Sequence, residues 1–488
     1  MKPVLSRQRL KPIAACLCLM AIMLTALEGR AEEHPNVVMI MCDDLGWGDV
    51  GFNGNTRIKT PRLDALAAES LVLDHFYAAS AVCSPTRGSF LTGRHPSRYG
   101  IPTANAGHLP KEEITLAEML LEQGYATGHF GKWHLGTLTT KIKDSNRGGP
   151  TANAREHFSP PRFHGYTTSF ATEAKTPTYD PMWKPIPKAS SKGWDFIPDL
   201  QEAVSYGTRY WDHQGKEVVN NVDGDDSRVI VDRAVQFIEQ NANKTKPFLA
   251  VVWFHTPHLP VVASPRHSRL YADIRDSYTR NYYGCITAMD EQVGRLVDCL
   301  KRTGTFSNTL LTFCSDNGPE GKAGSAPGTA GPFRGRKRDL YEGGVRVPSL
   351  ISWPRQITHG RRSDYPSVTS DYFPTITAIL DQKLPPRPYD GRSLLPLIES
   401  GALELRNRPI GFAFGKKTSL VTDRYKLIYL NGDTTQPQLY DLHADPAESM
   451  NLAPSEPNLV QSLDSQLSRW LESCQMSARG DDYEVDLP

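Results

Sequence analysis

Asn36-Val37-Val38-Met39-Ile40-Met41-Cys42-Asp43-Asp44 is the stretch from which the fold of this 488-residue chain is best predicted. A short, continuous apolar run that is rich in β-branched side chains indicates a strand covered on both faces of its sheet. Three later runs have the same character: Phe248–Phe254, Leu310–Cys314 and Val347–Ser352. The sequence therefore predicts four buried strands, the first of which is Asn36–Met41.

Amphipathic helical segments lie between these strands. They are Arg62–Ser70, Ile114–Gln123, Ser227–Asn241 and Cys285–Arg302. Strands that alternate with helices are typical of α/β proteins with a largely parallel sheet. We therefore expect a large mixed, mostly parallel sheet between layers of helices.

Polar residues follow three of the four strands, as Asp43-Asp44, His255-Thr256-Pro257-His258 and Asp316-Asn317-Gly318. In such sheets ligands bind beyond the carboxyl ends of the strands. Adjacent carboxylates repel each other unless a cation or hydrogen-bond donors lie between them, and oxygen ligands suit Ca²⁺ or Mg²⁺. Each pair alone also fits a helix cap or a turn. Together, Asp43, Asp44, Asp316 and Asn317 favour a metal site.

The charge balance excludes one class of function. The chain has 55 Lys and Arg against 54 Asp and Glu, so it lacks the broadly basic surface of a nucleic-acid-binding protein. A basic start, an apolar run over 13–27 and Gly29-Arg30-Ala31 predict a signal peptide over residues 1–31. A membrane anchor and a lipid attachment at Cys16 are the alternatives. The apolar run is shorter than the roughly 20 residues that a membrane anchor needs to span a bilayer. We expect an exported protein, periplasmic or secreted, without stable membrane insertion.

Six cysteines remain after the predicted cleavage, and their spacing is not that of a disulfide framework. Cys42 and Cys314 lie in apolar, strand-like runs, where we expect buried, inert thiols. Cys83 is the exception, because it lies in a polar turn that contains proline and arginine.

The remaining chain divides into segments of different composition. Residues 139–199 are rich in proline and lack periodicity, which indicates either loops around a cleft or a disordered insertion. After residue 403, short strand-like segments and a final helix predict a small α+β unit. We therefore predict a catalytic domain over 32–403, with substrate-facing loops over 139–215, and a C-terminal subdomain over 404–488, which has a short antiparallel sheet and a helix.

Cys83-Ser84-Pro85-Thr86-Arg87 is the motif that suggests a family. The chain resembles the type I sulfatases of the alkaline phosphatase superfamily, in which Cys-x-Pro-x-Arg directs oxidation of the cysteine to formylglycine. The second family signature matches Gly124–His134, although Phe130 departs from the usual small or aliphatic residue. Further matches are Asp43-Asp44-Leu45-Gly46, Thr60–Asp64, Pro257-His258-Leu259-Pro260, Asp316-Asn317-Gly318 and Lys337 ahead of Tyr341-Glu342-Gly343-Gly344. Arylsulfatase A-like and N-acetylgalactosamine-6-sulfatase-like bacterial enzymes are the members most similar to it.

The resemblance implies an activity and a set of site residues. The enzyme would remove sulfate from a sulfated carbohydrate or aryl sulfate, with a formylglycine hydrate at residue 83 as nucleophile and a covalent sulfo-enzyme intermediate. Asp43, Asp44, Asp316, Asn317 and residue 83 would hold one Ca²⁺, or Mg²⁺ in its place. The other catalytic residues would be Arg87 (stabilising the hydrate), Lys132, His134 (a base), His258 (the general acid) and Lys337. A formylglycine-generating maturation enzyme is the implied partner.

Several assignments stay open at this stage. A phosphonate or phosphate monoester hydrolase of the same superfamily and an inactive carbohydrate-binding homologue are the alternative functions. His255 is either a supporting partner of the site or an ordinary buried histidine. Arg94, His95 and Arg98 either serve the cysteine motif or substrate, or belong to a solvated face. Some aromatic and basic side chains either stack on sugars or pack the loops: Trp183, Trp194, Arg209, Tyr210 and Trp211.

Overall fold

The computed structural model describes residues 34–186, 190–403 and 405–483. The predicted signal peptide, 1–31, lies outside these residues. In the described part of the chain no helix is both long and apolar enough to cross a membrane.

The strands of the structure are β1 Asn36–Cys42, β2 Leu71–Leu73, β3 Phe76–Tyr77, β4 Ala126–Lys132, β5 Thr168–Thr172, β6 Trp183–Pro185, β7 Ala203–Ser205, β8 Tyr210–Asp212, β9 Glu217–Val218, β10 Phe248–Trp253, β11 Thr309–Ser315, β12 Ser349–Ser352, β13 Arg361–Ser363, β14 Ser367–Val368, β15 Ile410–Phe414, β16 Lys417–Val421, β17 Tyr425–Tyr429 and β18 Gln438–Asp441. The helices are α1 Pro61–Ala68, α2 Cys83–Thr92, α3 Leu116–Glu122, α4 Asp226–Ala242, α5 Pro265–Arg269, α6 Ser277–Arg302, α7 Glu342–Val345, α8 Tyr372–Ile379, α9 Leu395–Ser400 and α10 Pro457–Ala478.

A ten-stranded sheet is the centre of the fold, in the order β13-β2-β12-β11-β1-β10-β4-β5-β8-β9. The strands β11, β1, β10, β4 and β5 are parallel to one another, whereas the pairs β11–β12 and β5–β8 are antiparallel. The predicted α/β class with a mixed, mostly parallel sheet is therefore confirmed.

The first strand shows why the sheet is buried on both faces. Val37, Met39 and Met41 join one apolar core, which also contains Phe90 of α2. Val38 and Ile40 join the other core, which contains side chains of α4 and α6. Since neighbouring residues of a strand point to opposite faces, a continuous apolar run fits a strand between two helical layers.

The boundaries of two predicted elements differ from the structure for local reasons. The last predicted strand, Val347–Ser352, begins at Ser349, because Pro348 has no N–H to donate to a ladder. The helix predicted from Cys285 begins eight residues earlier, at Ser277. There the side chain of Asp276 accepts a 2.8 Å hydrogen bond from the backbone N–H of Thr279, which caps the helix.

The stretch over 139–199 is more ordered than either sequence interpretation. It contributes β5 to the main sheet, paired in parallel with β4, and β6 to a separate hairpin with β7. The disordered insertion is therefore wrong for the residues that the structure describes. Loops remain around β5, and several of them reach the edge where β1, β10 and β11 end.

The C-terminal strands form a separate four-stranded antiparallel sheet in the order β15-β16-β17-β18, and α10 follows it. Trp470 of α10 packs against Gly411, where a Cβ atom would come within 2.4 Å of the indole ring. The predicted small antiparallel unit is thus confirmed as an architecture. The division at residue 404 stays a prediction.

Candidate active site

The four predicted oxygen ligands meet at one edge of the main sheet. Strands β1 and β11 are neighbours, so Asp43 and Asp44 lie beside Asp316 and Asn317, and all four residues are buried. The N–H of Asp44 donates to Asp316 Oδ1 at 3.1 Å, and Asn317 Nδ2 donates to Asp44 Oδ1 at 2.7 Å. Asp44 has a φ of 68°, a conformation that costs a non-glycine residue about 1 kcal/mol or more and that recurs at functional sites.

Each of the three carboxylates has a cationic partner. Lys132 Nζ lies 2.6 Å from Asp43 Oδ2, Arg87 Nη2 lies 2.7 Å from Asp316 Oδ2, and Lys337 Nζ lies 2.6 Å from Asp44 Oδ1. Burial opposes ionisation of Asp43, yet Lys132, His258 and Arg87 hold the pKa of this carboxyl well below its usual range. Burial likewise opposes the charge of Lys337, but Asp44 and residue 83 raise its pKa above the ordinary value. These side chains therefore form a compact cluster of opposite charges.

Two oxygen atoms of the cluster accept no hydrogen bond from the residues that the structure describes. Asp43 Oδ1 and Asn317 Oδ1 are buried acceptors without a hydrogen bond among the described residues. Buried acceptors are rarely left unsatisfied, because their desolvation then costs about 1–3 kcal/mol each. Ligand atoms of Asp43, Cys83 and Asp316 lie within 4.8 Å of one another. The residues thus fit a hard divalent cation bound by carboxylate and amide oxygens.

Cys83 is the first residue of α2, and its side chain is buried beside this cluster. Burial raises the pKa of its thiol, although Lys132 and Lys337 act in the opposite direction. One helical turn later, Arg87 reaches Asp316 and also donates to the backbone carbonyl of Lys132 at 3.3 Å. The Cys-x-Pro-x-Arg spacing therefore places residue 83 and the guanidinium on the same side of the helix.

The second family signature forms β4 and the turn that follows it. Gly131 has a φ of 104°, and a Cβ atom there would lie 2.0 Å from the carbonyl oxygen of Trp253. Only glycine fits this close approach, which directs the following Lys132 into the cluster. His134 also has a positive φ, 57°. Its Nε2 lies 3.5 Å from Asn105 Oδ1, and its Nδ1 has no partner among the described residues.

Most of these side chains line one cavity of about 400 Å³. Cys83, Lys132, His134, His258 and Lys337 all contribute to its wall. Further lining residues are Asn105, Asn146, Lys175, Ser191, Leu259, Glu320 and Arg338. The structure thus brings every predicted site residue to this cavity or to the acidic cluster beneath it, with Arg87 in the cluster.

The two histidines of the β10 end differ in position. His258 lines the cavity, its Nε2 lies 3.7 Å from Asp44 Oδ2, and its Nδ1 donates to the carbonyl of Leu259 at 2.6 Å. His255 is fully buried between Asp226 Oδ2 at 2.8 Å and Thr172 Oγ1 at 2.7 Å. His255 therefore fixes the packing behind the cavity without lining it.

Burial, together with the surrounding charges, determines the protonation of the two lining histidines. Burial, Lys132 and Arg147 lower the pKa of His134 well below its ordinary value. Burial lowers the pKa of His258 to about 4, even though Asp43 and Asp44 act in the opposite direction. Both imidazoles are therefore neutral at neutral pH in the field of the protein alone, so each can accept a proton.

The Sulfatase family model matches residues 35–382, which is more than half of the chain. The chain belongs to the sulfatase family. A second model, for the C-terminal region of N-sulphoglucosamine sulphohydrolase, matches residues 331–476. The first model covers the acidic cluster and every residue that we place at the cavity.

Similar proteins are found among mammalian and bacterial sulfatases. Steryl-sulfatase of Mus musculus is 32% identical, and the match covers 77% of this chain and 66% of that protein. N-acetylgalactosamine-6-sulfatase of Mus musculus is 31% identical, over 84% of this chain and 75% of that protein. The crystal structure of Ps i-CgsB in complex with k-i-k-neocarrahexaose has a TM-score of 0.76 and 25% identity, and covers 93% of this chain and 97% of that chain.

Arg147 is a buried residue that the sequence analysis did not single out. Its Nη2 donates to the carbonyl of His134 at 2.5 Å and to Ser84 Oγ at 3.0 Å, and its Nη1 donates to the carbonyl of Gly107 at 2.7 Å. Its Nε donates to the buried carboxylate of Glu173. Arg147 therefore connects the helix of Cys83, the turn of His134 and the loop of Asn105.

The two arginines after the cysteine motif do not lie on a solvated face. Arg98 forms an ion pair with Asp390 at 2.7 Å, and Arg94 forms ion pairs with Glu113 and Asp482. Both arginines are buried and do not line the cavity. They attach the end of α2 to later parts of the chain, including the residues after α10.

Proposed function

We propose that this member of the sulfatase family is an exported enzyme that removes sulfate from a sulfated carbohydrate, with aryl sulfates as small substrates. The main support for this proposal is the cavity above the acidic cluster. Five of the predicted catalytic side chains line it: Cys83, Lys132, His134, His258 and Lys337. A sulfate ester presents anionic oxygens, so its hydrolysis needs positive charge arranged in advance. Support for a glycan substrate comes from the named activity of the N-acetylgalactosamine-6-sulfatase and the ligand of the Ps i-CgsB complex.

Cys83 is proposed to become formylglycine through the action of a maturation enzyme. As an unmodified thiol, residue 83 is a poor nucleophile here, because burial raises its pKa and keeps it protonated. The hydrated aldehyde would supply an oxygen nucleophile and, afterwards, a route for release of sulfate. The chain contributes the fixed position at the start of α2 and the neighbouring guanidinium of Arg87, which would stabilise the hydrate.

The acidic cluster is proposed to hold one Ca²⁺, or Mg²⁺ in its place. Asp43, Asp44, Asp316 and Asn317 would provide the oxygen ligands, together with residue 83 after its conversion. Asp43 Oδ1 and Asn317 Oδ1, which accept no hydrogen bond from the described residues, support this assignment. Such an ion acts as a Lewis acid towards sulfate oxygen and orients the nucleophile.

The remaining residues are proposed to move protons and to hold the sulfate group. His134 would take a proton during sulfate elimination: its lowered pKa keeps the ring neutral, and the anionic substrate would raise its affinity for a proton. Lys132 and Lys337 would hold sulfate oxygens. His258 would donate a proton to the leaving oxygen, with Lys337 beside it. For that role the anionic substrate has to raise the pKa of His258 from its value of about 4.

The proposal predicts the outcome of two measurements on residue 83. Mass spectrometry of the peptide that contains Cys83 should show formylglycine in protein co-produced with a maturation enzyme. Cys83→Ala should reduce turnover of 4-nitrophenyl sulfate to the background rate while its melting temperature stays within about 3 °C of the unaltered protein, as expected for a chemical role. Unmodified Cys83 in a fully active preparation would contradict the mechanism.

A substrate panel separates the proposal from its alternatives. We expect turnover of sulfated mono- and oligosaccharides to exceed turnover of the matching phosphate and phosphonate esters by at least tenfold in kcat/KM. The reverse preference would favour a phosphate or phosphonate monoester hydrolase. Glycan binding without turnover by fully modified protein would instead favour an inactive carbohydrate-binding homologue. Detection of mature protein beginning near residue 32 in an extracellular or periplasmic fraction would test export.

A further inference from the structure

A second pocket adjoins the active-site cavity. This side pocket has a volume of about 500 Å³ and is lined by Lys175, Lys184, Pro185, Ile186, Ser190, Ser191, Trp194, Val204, Tyr206 and Pro260. Lys175 and Ser191 also line the active-site cavity, and Pro260 directly follows the cavity residue Leu259. A molecule held in the cavity therefore has a path into the side pocket past these shared residues.

Two aromatic rings of the side pocket lie near each other, and hydrogen bonds hold the backbone that carries them. The rings of Trp194 and Tyr206 lie 6.3 Å apart with an interplanar angle of 45°. Asn281 of α6 donates to the carbonyl of Trp194 at 3.1 Å, and the N–H of Tyr206 donates to the carbonyl of Met182 at 2.8 Å. Val261 also donates to the carbonyl of Lys192 at 3.0 Å. Aromatic side chains have only two rotatable side-chain bonds, so they provide contact area at a small entropic cost.

The charge of the side pocket is one-sided. Lys175 and Lys184 both line it, and none of its described lining residues is acidic. Neither amine has a carboxylate partner within the described ranges 34–186, 190–403 and 405–483, in contrast to Lys132 and Lys337 in the cavity. Burial and the neighbouring Lys132 and Lys337 lower the pKa of Lys175 although Asp44 and Glu320 act in the opposite direction, so a further anion beside it would be favourable.

We propose that the side pocket binds the second sugar ring of the substrate, and that this ring carries an anionic group, either a carboxylate or a further sulfate. The ring would stack on Trp194, and its anion would face Lys184 and Lys175. This proposal rests on the proposed sulfatase function. It adds that the preferred substrate is an oligosaccharide with charge on neighbouring rings rather than a singly sulfated monosaccharide.

The test compares substrates that differ only in the second ring. The panel pairs sulfated monosaccharides with disaccharides whose second ring carries a carboxylate, a sulfate or no charge, and includes 4-nitrophenyl sulfate. The unaltered enzyme should show at least tenfold higher kcat/KM for one of the charged disaccharides than for its monosaccharide. The carboxylate and sulfate arms identify which anion the pocket prefers.

Variants locate this preference in the pocket. Lys184→Ala should remove most of the preference for a charged over a neutral second ring, mainly through KM. Trp194→Ala should lower kcat/KM at least fivefold for all disaccharides. Both variants should leave kcat/KM for 4-nitrophenyl sulfate within twofold of the unaltered enzyme. Lys416→Ala, which removes an exposed lysine in the turn between β15 and β16, is the control and should leave kcat/KM unchanged for every substrate.

The outcomes that overturn the proposal are distinct from failure of the function. If unaltered enzyme turns over monosaccharide and charged disaccharide equally, the side pocket does not select the second ring although the enzyme is a sulfatase. Equal losses on 4-nitrophenyl sulfate and disaccharides in the variants would also overturn it, since the residues would then act through the structure of the cavity. Absence of turnover of every sulfate ester by fully modified enzyme would refute the function itself, and the proposal with it.

Discussion

Replacement of Arg147 by lysine should show separately how this residue contributes to the stability of the fold and to the position of the catalytic residues. The guanidinium donates to Glu173, Gly107, Ser84 and His134 from three nitrogen atoms that point in different directions. A lysine ammonium keeps the charge that Glu173 requires but cannot reach all of these acceptors from one point. If two bonds to a charged donor are lost at about 1.5–3 kcal/mol each, and part of the loss is recovered by relaxation, we expect a destabilisation of about 2–4 kcal/mol.

The same substitution should reduce catalysis in molecules that stay folded. Arg147 fixes the carbonyl of His134 and the hydroxyl of Ser84, which directly follows Cys83. A shift of about 1 Å in a reacting group can cost on the order of 100-fold in rate. We therefore expect kcat for 4-nitrophenyl sulfate to fall about 10- to 100-fold at 25 °C, with a smaller change in KM. Arg147→Ala, which leaves Glu173 buried and unpaired, should lose about 3–5 kcal/mol and lower the yield of folded protein.

Arg406 provides a matched control, because its buried guanidinium forms an ion pair with Asp371 away from the cavity. Its nitrogen atoms lie 2.7 and 2.8 Å from the two carboxylate oxygens. Arg406→Lys should cost a similar free energy of unfolding, measured by urea titration, but leave kcat of the folded enzyme within twofold. An unchanged kcat in Arg147→Lys, or an equal loss in both lysine variants, would refute the positioning role.

Three further outcomes follow from the charges of the structure. Lys426 Nζ lies 2.8 Å from Glu342 and 3.1 Å from Glu448, and both carboxylates are buried. Lys426→Met should therefore lower the free energy of unfolding, measured by urea titration, by about 3–5 kcal/mol. The loss should be smaller at pH 5, where the carboxylates gain protons. Burial favours the neutral form of Asp390, yet Arg98 holds the pKa of this carboxyl below its ordinary value. The ionised carboxylate therefore stabilises the fold above its unfolded pKa of about 4, and this stabilisation is lost as pH falls. Asp390→Asn should therefore lower the melting temperature at pH 7 and flatten its decline between pH 5 and pH 3. Dialysis against a chelator should remove activity and lower the melting temperature, and added Ca²⁺ or Mg²⁺ should restore both if the acidic cluster binds the ion.

The centre of the fold was predictable because its burial is visible in single segments of sequence. The strand β1 is buried on both faces, so its apolar residues run without interruption and end at Asp43 and Asp44. The strand β4 also pairs with β10 inside the sheet but was not predicted. Gly128, His129 and Gly131 interrupt its apolar pattern, and these residues are there for packing and close backbone approach rather than for strand propensity.

The candidate site was predictable where its residues directly follow buried strands, as Asp43 and Asp316 do, or fall in short motifs. Arg87 and Lys337 belong to such motifs, so the resemblance identified them, and the structure adds the carboxylates that they face. Arg147 lies in an aperiodic stretch, and its importance arises from atoms of Ser84 and His134 that are distant from it in sequence. From the sequence, Trp194 and Tyr210 each fit either stacking on a sugar or packing of the loops. Trp194 lines a pocket, whereas Tyr210 is buried and stacks on Phe170 at 4.2 Å.

The charge of the cluster connects the metal prediction to substrate binding. Asp43, Asp44 and Asp316 face Lys132, Arg87 and Lys337, so the formal charges of these six side chains cancel. A neutral cluster gives little attraction for a sulfate ester, whereas a bound divalent cation would leave an excess of two positive charges. Calorimetric titration of Cys83→Ala with inorganic sulfate should therefore detect binding in the presence of Ca²⁺ or Mg²⁺ and at least tenfold weaker binding after chelation. Equal affinity in both conditions would mean that the lysines and Arg87 attract the anion without help from a metal.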